Sequence, residues 1–162
     1  MPLPPNTFLK KVHYKDDVVT MIFKSMDTSM GDIETTEKCH DKPTRDFIRA
    51  LHNLEKAVRT ILQLPDNYGY LRMSIGSVTW SYSEDTDVRG AVISATLGLD
   101  TSNSPFCFNT PHLPFSEYSE GSNQPIMPLE CRELLDDLQR ETILYKDGKR
   151  AQGDLFAQES GD

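Results

Sequence analysis

No run of this chain approaches the roughly 18 consecutive apolar residues that a membrane-spanning helix needs, so a membrane is not an expected partner. The opening residues, Met1-Pro2-Leu3-Pro4-Pro5, have neither the basic start nor the apolar stretch of a secretory signal. The expected place of action is therefore the cytoplasm of the cell that makes the chain. Cysteine is scarce: Cys39, Cys107 and Cys131 are odd in number, widely spaced and without a Cys-x-x-Cys pair. That argues against a disulfide framework and suits a reducing compartment. Metal-ligand spacing is missing too. Cys39 and His40 are adjacent, and His13, His52, Cys107 and Cys131 fall into no zinc-like pattern.

Basic charge is in short supply. There are 17 Lys and Arg against 25 Asp and Glu, for a net charge of −8. A nucleic-acid binder needs a basic face to neutralise phosphates, so direct nucleic-acid binding is not expected of the chain as a whole. Charge can still be segregated, and Lys10, Lys11, Lys15 and Lys24 make the first 24 residues locally basic. The chain also has no GxGxxG, P-loop, Gly-x-Ser-x-Gly or HExxH. No cofactor and no catalytic residue is assigned.

What is present reads as one α+β domain over residues 1–148 with a tail over 149–162. With 162 residues, of which 37% are hydrophobic, the chain can bury a core. Between Phe8 and Met26 the β-branched and aromatic residues Val12, Tyr14, Val18, Thr20, Ile22 and Phe23 predict two strands, with Asp16-Asp17 as their turn. The polar residues 27–42 read as a long loop. A helix follows, capped by Asp41 with Pro43 in its first turn, and Phe47, Ile48, Leu51, Leu54, Val58, Ile61 and Leu62 lie on one face at spacings of three and four. Pro65 ends it, and Asp66–Gly69 turns the chain.

A second hairpin is expected from Tyr70–Tyr82 and Gly90–Leu99. Its apolar parity changes at Gly76, which marks a bulge. Residues 101–128 hold five prolines and read as a loop packed down by Phe106, Phe108, Leu113, Phe115 and Tyr118. The second helix opens at Pro128, carries Cys131, Leu134, Leu135, Leu138, Thr142 and Tyr145 at helical spacing, and stops at Gly148. The order β-β-α-β-β-α predicts an antiparallel sheet built from two hairpins and covered on one face by two helices.

Within the loop, Cys107 and His112 form a nominal nucleophile and base. No orienting acid accompanies them, and the flanking Phe106 and Phe108 favour a buried, inert thiol. A ligand pocket is the surviving alternative for the body. It would bind or sequester a small nucleotide ligand through Arg72, Trp80, Arg89, Asn109 and His112. Two readings are open for Trp80, a base-stacking surface and a place in the core.

The most specific signal is Gln152-Gly153-Asp154-Leu155-Phe156. It resembles the linear peptide by which bacterial polymerases and repair proteins dock onto the DNA sliding clamp, a motif of Gln, usually Leu, Asp or Ser, Leu and Phe. Four of the five positions match. The resemblance implies that Leu155 and Phe156 fill an apolar cleft, that Gln152 hydrogen-bonds at its rim and that Asp154 sits between them. Gly153 is the departure; it forgoes contact and raises the ordering cost, which points to modest affinity. The competing expectation is that Leu155 and Phe156 fold back on the chain's own core. A looser resemblance, carried by Lys42-Pro43, by Asn103-Ser104-Pro105 through Asn109-Thr110-Pro111-His112-Leu113-Pro114, and by Gly148-Lys149-Arg150-Ala151-Gln152, connects the chain to a group of small proteins of tailed bacteriophages and prophages. That group brings no established chemistry. It implies a phage setting in the host bacterial cytoplasm, with the clamp within reach. Together with the clamp-like motif this leads to the expectation of a phage accessory protein of DNA replication, recombination or host takeover; in the same setting the alternative pocket would be a counter-defence module against a nucleotide signal of host immunity.

Overall fold

A computed structural model describes residues 3, 6–64, 72–82, 89–117 and 124–151. The hairpin at the start forms as the sequence predicts: β1 (Thr7–Lys15) and β2 (Val18–Thr28) pair antiparallel, and Lys15 faces Val18 across the turn. Asp16 and Asp17 both take positive φ, 54° and 64°. Two left-handed residues in a row give the turn whose twist matches that of the flanking strands, and Asp tolerates this conformation better than most side chains.

The segment read as a long loop is in part a strand. β3 (Gly31–Cys39) pairs with β2 from Val19↔Cys39 to Thr28↔Gly31. Its sequence, Gly-Asp-Ile-Glu-Thr-Thr-Glu-Lys-Cys, shows no apolar alternation because it is an edge strand with most residues exposed. Helix α1 (Arg45–Ile61) follows, capped by Thr44 rather than Asp41. The Thr44 hydroxyl accepts from the Phe47 amide at 3.3 Å, and Pro43 lies just outside the helix. Phe47, Ala50, Leu51, Leu54, Ala57 and Val58 form its buried face, whereas Ile48 is exposed.

β4 (Met73–Tyr82) and β5 (Arg89–Leu97) pair antiparallel, and the register slips between Ile75 and Ser77, so the expected bulge at Gly76 is present. The expected turns at 66–69 and 83–87 lie outside the described residues. The Pro-rich stretch supplies two further short strands, β6 (Phe106–Asn109) and β7 (Leu113–Pro114), both paired with β5. Helix α2 (Leu129–Lys146) then buries Cys131, Leu135, Leu138, Thr142 and Tyr145, with Leu134 partly buried. Gly148 at φ 113° ends it as expected.

The result is an antiparallel sheet ordered β3-β2-β1-β4-β5-β6, with β7 beside β5, and two helices against one face. Leu9, Val12, Val19, Met21 and Phe23 from the first hairpin meet Val78, Trp80, Ala91 and Ile93 from the second under Phe47, Leu54, Leu135 and Leu138. Trp80 is 1% exposed. Residues 149–151, read from sequence as the start of the tail, belong to the packed body. Lys149 pairs with Glu141 and Asp46, Arg150 pairs with Asp41 at 2.7 Å and lies over the Tyr145 ring, and the Ala151 amide donates to the Lys42 carbonyl at 2.7 Å.

Candidate functional site

Among the described residues no helix covers the second face of the sheet, and register joins a continuous polar row across it. Lys38 pairs with Thr20, Thr20 with His13, His13 with Ser77, Ser77 with Ser94, and Ser94 with Asn109. At one strand spacing per step the row runs about 24 Å. Its β4–β6 half lines a shallow pocket of about 270 Å³ with His13, Ser77, Ser94, Thr96, Cys107 and Asn109. Ser94 donates to the Asn109 side chain at 2.6 Å. Partial burial pushes the His13 pKa down, and the neighbouring Lys11 and Lys15 push it further in the same direction. Lys11, Lys15 and Lys38 have no ion pair among the described residues. The basic start of the chain thus becomes a basic margin of this face.

The five residues expected to converge on a ligand occupy different places. Trp80 is in the core, and its indole N–H has no partner among the described residues. Arg89 lies on the helix side, over the Phe115 ring at 5.1 Å and bonded to Gln139 at 3.3 Å, with Asp136 at 3.7 Å. Arg72 is at the opposite end of the β4–β5 hairpin, beside Gly98 and 3.5 Å from Asp100. Only Asn109 and His112 share the open face, and each is engaged. The His112 ring lies against Gly90, where a Cβ would come within 2.5 Å of Nε2, and that nitrogen is 2.7 Å from the Ser81 hydroxyl.

Cys107 corrects an expectation. It is exposed rather than buried, because on β6 its side chain turns opposite to Phe106 and Phe108. It gains no base from this. Cys107 stands opposite Thr96 whereas His112 lies over Gly90, six residues away along β5, or about 20 Å. Phe106, expected to pack down, is 54% exposed and stacks on Phe108 with centroids 5.8 Å apart. Sequence reasoning missed His13 as part of the open face, although the alternation Lys11, His13, Lys15 against Val12 and Tyr14 already put the three on one side of β1. Among the described residues no group of three His, Cys, Asp or Glu is arranged to hold a metal, and no helix is long and apolar enough to cross a membrane.

The clamp-motif residues Gln152, Asp154, Leu155 and Phe156 lie outside the described residues. The chain that leads to them does not. It is fastened by Arg150 and Ala151 to Asp41 and Lys42 between β3 and α1, and by Lys149 to Asp46 on α1 and Glu141 on α2, and Ala151 itself is exposed. Comparison with protein-family models, with curated proteins and with solved structures finds no match to this chain.

Proposed function

We propose that this protein docks on the bacterial DNA sliding clamp through Gln152–Phe156, as a phage accessory protein of replication, recombination or host takeover. The observation that carries the reading is the fastening of Ala151 to Lys42, one residue before Gln152. The motif therefore follows directly on an exposed residue that is held to the body. Two adjacent large apolar residues beyond that point gain from a pocket that buries them. Leu155 and Phe156 are the anchors, Gln152 bonds at the rim and Asp154 spaces them. The alternative of a nucleotide-sequestering pocket finds no support in the positions of Arg72, Trp80, Arg89, Asn109 and His112, which do not converge.

Calorimetric titration with purified clamp tests the reading. Each anchor contributes about 1.5–3 kcal/mol by burial, so replacing Leu155 and Phe156 together with Ala weakens binding by about a hundredfold or more. Gly153→Leu strengthens it by adding contact and restricting the unbound chain. Thermal melts of the same variants stay at the parent value. A fall in melting temperature for the double variant, or no binding by the intact protein at about 50 µM, rejects the docking role.

A further inference from the structure

The two edges of the sheet are built differently. β3 carries Asp32, Glu34, Glu37 and Lys38 within nine residues, and charge on an edge opposes pairing with another strand. β6 reads Phe106-Cys107-Phe108-Asn109 and carries no charge. The stretch around it, residues 101–116, contains no Asp, Glu, Lys or Arg. In a chain of net charge −8, such an edge brings no like charges of its own against a second copy.

Backbone parity determines which groups of β6 point outward. The Thr110 amide donates to the Ile93 carbonyl at 2.9 Å, so along the same antiparallel ladder Phe108 and Phe106 also turn their amides toward β5. The N–H and C=O groups of Cys107 and Asn109 then point away from the sheet. Among the described residues no strand pairs with that side.

We propose that β6 pairs antiparallel with β6 of a second copy about a twofold axis at Cys107, joining the two sheets into one. Centring on Cys107 sets Phe106 opposite Phe108 of the second copy, twice over, and turns the stacked pair of each chain into a four-ring cluster. Centring on Phe108 instead would set Phe106 opposite Thr110 and leave two rings half in water. Pairing of β6 with a β3 edge would propagate without closing, and the charges on β3 oppose it. The self-pairing closes at two chains.

Sedimentation or light scattering of the full chain, from about 1 µM to about 1 mM, should show the mass rising from 18.4 kDa toward twice that value. Phe106→Lys should raise the dissociation constant at least about tenfold while the thermal melt stays cooperative. Cys107→Pro provides an independent variant. It removes an outward amide and no bond to β5, and it too should leave a monomer. A short bismaleimide should link two chains through Cys107 in the parent and not in Cys107→Ser. A monomer at every concentration, a dimer indifferent to Phe106→Lys and Cys107→Pro, or a dimer without the Cys107 link would each overturn the proposal. So would a monomeric chain whose β6 edge instead takes up an added extended peptide.

Discussion

Trp80 is the largest fully buried side chain, and its indole N–H has no acceptor among the described residues. An unsatisfied buried donor costs about 1–3 kcal/mol. Trp80→Phe should therefore cost less than its loss of volume suggests, within about 2 kcal/mol in urea unfolding, whereas Leu54→Ala, which removes only apolar contact, should cost about 2–5 kcal/mol. His13 makes a second residue-scale prediction. Its pKa is below the ordinary 6.5 in the folded chain, through partial burial and the charges of Lys11 and Lys15. The unfolded chain then binds a proton at a higher pH than the folded one. This group adds nothing to pH dependence well above 6.5, and it subtracts stability as pH falls below 6.5 toward the folded value. The other charged side chains of the face are Lys38 and the pairs Lys24–Asp32 and Lys10–Glu34. Unfolding midpoints at pH 7.5 and 5.5 should differ less in His13→Asn than in the parent, and an equal or larger difference would refute this account.

Elements were legible in proportion to how much of them is buried. Both helices stood out because Phe47, Leu51, Leu54, Leu135 and Leu138 recur on one face, and the Gly76 bulge showed as a change of apolar parity. β3 did not show, since an exposed edge strand needs no apolar alternation. β6 and β7 were hidden among prolines, which mark turns but also border short edge strands. The site was harder to read than the fold. Strand residues chosen for their chemistry scattered to two faces and to opposite ends of one hairpin, because the pairing of strands distant in sequence decides which side chains meet. Gly148 ends α2 at φ 113°, a conformation that costs a residue with a Cβ about 1–3 kcal/mol. Gly148→Ala should lower stability by about that much, measured by denaturant midpoint, with no loss of helix by circular dichroism. At the far end of β5, Gly90→Ala would force the His112 ring away from Ser81, visible as a shifted imidazole resonance.

At the scale of the whole molecule, the charge is distributed unevenly. An uncharged stretch of sequence surrounds β6, and Lys11, Lys15 and Lys38, without an ion pair among the described residues, border the open face. A dimer joined at β6 would present two copies of Gln152–Phe156, which raises the effective strength of a modest motif if both reach their sites. The double change of Leu155 and Phe156 to Ala should then leave the mass of the assembly unchanged, and Phe106→Lys should weaken clamp capture on a densely coated surface more than in solution. The fastening at residues 149–151 has a mechanical consequence. A partner that holds the residues after Ala151 and drags the protein applies its load first at Lys42 and Asp41, between β3 and α1, and only then at the last turn of α2. Part of the tension passes through a backbone bond and two ion pairs into Lys42, Asp41 and Asp46, so less of it falls on the end of α2.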